Sequence, residues 1–422
     1  VRIEELVNYF TYDYPEPSGE ETFSITTEVG ACPWNDDNRL VHIGLQGKHI
    51  DMTEAPRSNL VFLLDVSGSM TPANKLPLLQ KAFVTFVENL RRKDRVAIVV
   101  YAGSAGLVLG STRGDEKKRI IKAIENLHTG GSTAGGAGIE LAYKIAADNF
   151  IKGGNNRVIL ATDGDFNVGV SSDGAIVRLI EEKKKSGIFL TVLGFGEGNL
   201  QDAKMEKIAD HGNGHYAYID DIFEARKVLV SEMSATLFTI AKDVKIQVEF
   251  NPAKVTSYRL VGYENRLLAK KDFADDKKDA GEIGAGHSVT ALYEIVPAVS
   301  ETVTRASQKT SYMVVRIDSA AFASPELLTV RFRYKAPDED DSQLIVQTLE
   351  DGSGRFGNAS VDFRFAAAVA EFGMLLRDSE HKGAASYEHV LRMAKESIGD
   401  DELGYRHEFV RLVEMCREIN KE

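Results

Sequence analysis

Between residues 59 and 240, short apolar runs alternate with segments whose apolar residues recur at helical spacing, such as Leu76, Leu79 and Phe83. The apolar runs are NLVFLLD (59–65), RVAIVVYAG (95–103), GLVLGS (106–111), NRVILATDG (156–164), IFLTVLGFG (188–196) and HYAYID (215–220). Continuous apolar runs are typical of strands that are covered on both faces. We therefore predict an α/β domain with a doubly wound, mostly parallel sheet over residues 57–240.

The flanking segments show a different pattern, in which apolar and polar residues alternate with period two and no helices intervene. This pattern covers residues 22–50 and 243–335 and is typical of antiparallel strands in a β-sandwich. We predict that the two flanks form one sandwich into which the α/β domain is inserted. The predicted segments are an N-terminal helix with strands (1–56), the inserted domain (57–240), the rest of the sandwich (241–340) and a C-terminal helical region (341–422).

Composition limits the classes of partner. The chain has 422 residues and a formal net charge of −12, which argues against nucleic acid and anionic membranes as partners. It has no apolar run long enough to span a membrane. It begins with Val1, so we expect that a preceding segment was removed. Cys32 and Cys416 are the only cysteines, and their positions fit either two free thiols or one long-range disulfide.

Polar side chains follow the ends of several predicted strands. Asp65, Ser67 and Ser69 occupy alternate positions directly after an apolar run. A glycine-rich loop (128–138) contains Ser132 and Thr133, and another apolar run ends in a stretch with Thr162, Asp163 and Asp165. The carboxyl ends of parallel strands meet at one edge of a sheet, where ligands bind. Carboxylate and hydroxyl oxygens are ligands for hard divalent cations, so these three loops predict a site for Mg²⁺, or Ca²⁺ or Mn²⁺.

The set Asp65-x-Ser67-x-Ser69, Thr133 in GGSTAGGAG and Asp163 in ATDGD resembles the metal-ion-dependent adhesion site of von Willebrand factor A domains. The resemblance covers about residues 57–237. The flanks, with VRIEELVNYF before and GAGHSVTALYEIVP after, look like those of bacterial A-domain proteins, some of which carry lipoprotein signals. The resemblance therefore implies a protein of the cell envelope or periplasm, processed as a lipoprotein.

The resemblance also implies a mode of binding. Ser67, Ser69 and Thr133 would ligate the metal directly, and Asp65 and Asp163 would act directly or through water. One coordination position would stay open for a carboxylate of a protein partner. The C-terminal helix of such domains, here predicted over 221–241, shifts in several members of the family.

We predict a monomeric, non-enzymatic protein for metal-dependent adhesion or scaffolding, with no bound organic cofactor. An alternative is an accessory or chaperone-like subunit of an ATPase or a metal-insertion complex. A hydrolase that uses the ion is a weaker alternative, because no nucleophile elbow and no zincin motif is present in the sequence. From the position of Asp163 at the sheet edge, we expect Asp163→Ala to abolish metal binding with little effect on the fold.

Overall fold

The computed structural model describes residues 1–51, 53, 55–102, 104–130, 135–164, 173–196, 201–231, 238–262, 273, 281–298, 308–309, 314–315, 317–337, 339–352 and 354–420. The chain forms two compact units. The first combines Val1–His49 with Ile240–Glu422, and the second is Ile50–Thr239.

The described strands and helices follow in chain order. The strands are β1 (Phe23–Ala31), β2 (Arg39–Gly47), β3 (Ser58–Asp65), β4 (Arg95–Tyr101), β5 (Ala105–Arg113), β6 (Asn155–Thr162), β7 (Ile188–Phe195), β8 (Tyr216–Ile219), β9 (Thr239–Phe250), β10 (Val255–Leu260), β11 (Gly281–Gly284), β12 (Ser288–Pro297), β13 (Gln308–Lys309), β14 (Val314–Val315), β15 (Glu326–Lys335) and β16 (Ser342–Glu350). The α-helices are α1 (Ile3–Asn8), α2 (Leu76–Glu88), α3 (Lys117–Glu125), α4 (Gly135–Asp148), α5 (Asp173–Lys185), α6 (Asp202–His211), α7 (Ile222–Arg226), α8 (Ser319–Ala323), α9 (Val361–Leu376), α10 (Tyr387–Glu396) and α11 (Tyr405–Ile419). Within these described ranges, every helix is too short or too polar to cross a membrane.

The Ile50–Thr239 unit contains a six-stranded sheet in the order β5-β4-β3-β6-β7-β8. Its neighbouring strands are parallel except for β5, which runs antiparallel to β4. Every residue of β3 and β6 is buried, because α4 packs on one face and α2 on the other. On the α2 face, the rings of Phe62 and Phe83 meet edge to face at 4.3 Å between centroids. The predicted doubly wound, mostly parallel sheet is confirmed.

The other unit contains two four-stranded sheets, β1-β2-β12-β10 and β11-β9-β15-β16. Strand β2, from before the inserted domain, pairs antiparallel with β12, from after it. Buried apolar residues of both sheets share common clusters, for example Val41 of β2 with Val330 of β15. The two flanks therefore form one antiparallel sandwich, as the alternating pattern predicts.

Helices α1, α9, α10 and α11 form a separate layer of this unit. Helix α9 is apolar on nearly all sides and buries Phe363, Phe365 and Phe372. The same cluster contains Trp34 and Cys32. Cys32 and Cys416 are free thiols, so the disulfide alternative is wrong. The C-terminal helical region is confirmed.

Two segments differ from the sequence prediction. Residues 342–350, assigned above to the helical region, form β16, which pairs with β15 at the edge of a sandwich sheet. The helix predicted over 221–241 begins with the short helix α7 and continues as a π-helical segment, Lys227–Ser231. Thr239 already belongs to β9, so the end of that predicted helix is strand.

A buried histidine makes the sandwich unit sensitive to acid. His42 of β2 is fully buried, and its Nε2 lies 2.8 Å from the Tyr14 hydroxyl, which in turn lies 2.6 Å from Thr290 Oγ1. Burial lowers the pKa of His42 to about 3, whereas an unfolded histidine titrates near 6.5. Between these two values the unfolded chain binds the extra proton, so stability present above pH 6.5 is lost as the pH falls.

We expect His42→Gln to remove this part of the acid sensitivity, because glutamine can still accept a hydrogen bond from Tyr14 but takes up no proton. Wild-type stability should fall by about 2 kcal/mol between pH 7 and pH 5 through His42 alone. Urea unfolding followed by the fluorescence of Trp34, the chain's single tryptophan, reports on this unit. Parallel losses in wild type and variant would show that His42 is not the cause.

Candidate functional site

The candidate site begins at Asp65, the last residue of β3. In the register of the sheet, Asp65 lies opposite Tyr101 of β4. Its side chain is fully buried. Asp65 Oδ1 accepts a hydrogen bond from the Ser67 amide at 2.8 Å, and Oδ2 accepts from the Tyr101 hydroxyl at 3.1 Å and from Thr162 Oγ1 at 3.3 Å. Three elements therefore hold this carboxylate in one orientation.

The two serines lie together in the turn that follows. Ser67 Oγ and Ser69 Oγ are 2.9 Å apart, and a 3₁₀ turn over Gly68–Met70 follows Ser67. The bond from the Ser67 amide to Asp65 Oδ1 closes a local turn of the kind that aspartate favours. The sequence pattern Asp-x-Ser-x-Ser thus brings one carboxylate and two hydroxyls to the same edge of the sheet.

The glycine-rich loop is attached to this turn at its beginning. The Gly130 amide donates to the Val66 carbonyl at 2.8 Å, and the hydroxyls of Thr129 and Thr71 are 3.0 Å apart. Thr133, the fourth predicted ligand, lies outside the described residues. The chain on either side of it is described, with Gly130 beside the serine turn and α4 beginning at Gly135.

Asp163 directly follows β6, the neighbour of β3, and is almost fully buried. Its Oδ2 accepts a hydrogen bond from Lys75 Nζ at 2.8 Å. The Lys75 side chain is only 8% exposed. Its stem lies against Gly196, where an added Cβ would come within 2.3 Å of Lys75 Cε. Gly196 also has φ +78°, so both space and backbone conformation require glycine there.

The charges at this edge are unbalanced. Burial raises the pKa of Asp65, and the nearby negative charge of Asp163 raises it further. Burial likewise raises the pKa of Tyr101, whose hydroxyl faces Asp65. Among the described residues, the ammonium of Lys75 pairs with the Asp163 carboxylate, and the buried Asp65 carboxylate has no cationic partner. Such an arrangement favours an added cation.

The donor set fits a hard divalent cation. The described residues supply two carboxylates and two adjacent hydroxyls, which are oxygen donors of the kind that Mg²⁺ and Ca²⁺ prefer. Within the described part of the chain, no group of three or more His, Cys, Asp or Glu side chains could hold a metal. With the described residues alone, a metal bound here would depend on hydroxyl ligands as well as carboxylates.

Lys75 and Tyr101 are the site residues that the sequence prediction missed. A lysine just before a helix is normally exposed, and the stretch PANKLPLL contains no signal that distinguishes Lys75. Tyr101 lies at the end of an apolar strand, where an aromatic residue is typical of the core. Only the packing of the strands places its hydroxyl against Asp65.

The buried ion pair changes the expectation for Asp163. We expect Asp163→Asn to destabilise the Ile50–Thr239 unit by about 3 kcal/mol, because it removes the only counter-charge that the Lys75 ammonium has among the described residues. The double variant Lys75→Met with Asp163→Asn should recover most of that loss. Native-state hydrogen exchange of the β3 and β6 amides measures both effects. Equal exchange in wild type and the single variant would show that the pair contributes no stability.

Comparison with known proteins gives three family matches along the chain. The von Willebrand factor type A domain family matches residues 59–231. The family described as the C-terminal part of the uncharacterised protein YfbK matches residues 235–419, and a further von Willebrand factor family matches residues 1–42. The first of these contains Asp65, Ser67, Ser69, Thr133 and Asp163.

The chain is 43% identical to the uncharacterised Escherichia coli protein YfbK, over 99% of this chain and 72% of that protein. It is 28% identical to human inter-alpha-trypsin inhibitor heavy chain H4, over 38% of this chain and 18% of that protein. A solved von Willebrand factor type A structure from Catenulispora acidiphila covers 94% of this chain and 90% of its own, with 16% identity and a TM-score of 0.49. Because 99% of this chain aligns with 72% of YfbK at 43% identity, this chain belongs to the YfbK family of bacterial von Willebrand factor A domain proteins.

Proposed function

We propose that this chain is a metal-dependent protein-binding protein whose A domain recognises a carboxylate of its partner. The observation that carries the proposal is the gathering of the Asp65 carboxylate, the Ser67 and Ser69 hydroxyls and the Asp163 carboxylate at one edge of the sheet. Domains of this family often mediate protein interactions and commonly bind a divalent metal. Mg²⁺, with Ca²⁺ or Mn²⁺ as substitutes, is the metal that this oxygen donor set favours.

Each residue has a distinct part in this proposal. Ser67 and Ser69 present neutral oxygens, so they add little negative charge around the ion. Asp65 is fixed by three hydrogen bonds and orients the serine turn through the Ser67 amide. A bound divalent cation with few anionic ligands supplies Lewis acidity toward an external carboxylate. Thr133 completes the proposed ligand set.

Lys75 has a part that the family resemblance does not supply. Its ammonium lies 2.8 Å from Asp163 Oδ2, so a cation that approaches Asp163 is repelled by the positive charge of Lys75. We propose that Lys75 lowers the affinity for metal by competing for this carboxylate. The competition also keeps Asp163 paired in the metal-free protein, where an unpaired buried carboxylate would be costly.

Removing the lysine charge should therefore strengthen metal binding. We expect Lys75→Met to lower the dissociation constant for Mg²⁺ or Mn²⁺ at least tenfold, about 1.4 kcal/mol, measured by isothermal titration calorimetry. The matched control is Lys81→Met, which removes an exposed lysine from α2 and should leave the affinity unchanged. Weaker binding in Lys75→Met would mean that Lys75 positions Asp163 for the metal and does not compete with it.

Removing the hydroxyls should have the opposite effect. We expect the double variant Ser67→Ala and Ser69→Ala to lose metal binding while the fold is kept, because no buried charge is left without a partner. Ser186→Ala is the matched control, since Ser186 is exposed and its hydroxyl bonds only the Lys183 carbonyl in the described structure. Undiminished metal binding in the double variant would contradict the assignment of these ligands.

The partner is tested by capture from a cell-envelope extract in Mg²⁺ and in EDTA. Proteins retained by wild type and Ser186→Ala in Mg²⁺, but lost in EDTA and with the serine double variant, would support carboxylate recognition at the metal. Identical retention under all conditions would overturn it. Capture of an ATPase would favour the alternative, an accessory subunit.

We propose a binding role without catalysis and a location in the cell envelope. Turnover of a phosphoester or peptide substrate would contradict the absence of catalysis.

A further inference from the structure

A second charged feature lies at the opposite edge of the same sheet. A cavity of about 720 Å³ is lined by six cationic side chains, together with Thr53 and Ile151. The cations are Arg57, Arg91, Arg92, Lys93, Arg95 and Arg113. We call this feature the basic cavity. Its lining residues all belong to the Ile50–Thr239 unit.

The topology of the sheet explains why these residues converge. Arg57 directly precedes β3, and Arg95 is the first residue of β4. Arg113 ends β5, which runs antiparallel to β4 and pairs Arg113 with Arg95. Parallel strands begin at one edge and end at the other, so the basic cavity and Asp65 lie at opposite ends of β3.

Positive charge exceeds negative charge around the basic cavity. Asp94 pairs with Arg91 at 2.6 Å, and Asp115 pairs with Arg92 and Arg113. Asp51, which is exposed, interacts electrostatically with Lys93. Three acidic groups thus face six cations among the described residues. Arg57 and Arg95 have no acidic partner in the described structure, and Arg95 bonds only Ser111.

Several of these cations are held in place before any ligand arrives. Arg91 donates to the carbonyls of Ala55 at 2.9 Å and Pro56 at 2.6 Å, in addition to Asp94. Lys93 donates to the Thr53 carbonyl at 2.7 Å. Arg95 Nε donates to Ser111 Oγ at 2.8 Å. Side chains that are already oriented lose less conformational entropy when they bind an anion.

We propose that the basic cavity binds a small anion that carries several phosphate groups. Arginine guanidinium groups match phosphate oxygens in paired hydrogen bonds, and the volume lies in the range of small-ligand sites. Among the described lining residues no side chain is aromatic, so we assign recognition to the phosphate chain and not to a stacked base. A long nucleic acid would also be repelled by the net charge of −12 on the whole chain.

Calorimetric titration with inorganic tripolyphosphate tests the proposal. It is done in EDTA, so that the candidate metal site makes no contribution. We expect the double variant Arg57→Gln and Arg95→Gln to bind at least tenfold more weakly than wild type. Neither change leaves an acidic side chain without its partner. The matched control is Arg178→Gln, which neutralises an exposed arginine of α5 in the same unit and should bind as wild type.

The outcomes separate this proposal from the proposed function. The serine double variant should bind tripolyphosphate as wild type does, whatever its metal affinity. Absence of binding to folded wild type, or equal binding by the double arginine variant, would overturn the basic cavity as an anion site. Tighter binding of a single-stranded 20-mer DNA or of hexaglutamate than of tripolyphosphate would overturn the assignment to a small phosphate ligand. Weakening of tripolyphosphate binding by added NaCl would support it.

Discussion

The metal-free form of the candidate site is organised around the buried ion pair between Lys75 and Asp163. A positive partner offsets the cost of removing the Asp163 carboxylate from water, and that partner is Lys75, the residue directly before α2. The Lys75 side chain reaches from the start of α2 to the end of β6, and Gly196 provides the space for it. One electrostatic requirement therefore links a loop, a helix and two strands at the edge where the ligands gather.

The other polar residues of the site also lie at this edge of the sheet, because the middle of each central strand is buried. The central strands β3 and β6 are buried along their whole length, so their middle residues are apolar and their polar residues lie toward the strand ends. β3 has eight residues, which separates its two ends by about 25 Å. That distance exceeds the Debye length at physiological ionic strength, about 8 Å. An acidic edge and a basic edge can therefore coexist on one sheet with little mutual influence.

The sequence was most informative where burial is complete. Strands β3, β4, β6 and β7 could be predicted because both faces are covered, which leaves a continuous apolar run. β16 could not, because it is an edge strand with most of its side chains exposed, and its apolar residues carry no clear pattern. Asp65, Ser67, Ser69 and Asp163 followed from spacing and family resemblance. Lys75 did not, because only tertiary packing turns an ordinary lysine into a buried counter-ion.

Net charge was a weaker guide than local charge. A total of −12 describes the mean field far from the molecule and so disfavours long polyanions. It says nothing about the field inside one cavity, where screening by solvent is incomplete and the nearest side chains dominate. Around the basic cavity those side chains are mainly arginines, two of them without an acidic partner among the described residues. An acidic protein can for this reason bind a compact anion, provided that the anion is small enough to interact mainly with the cations that line the cavity.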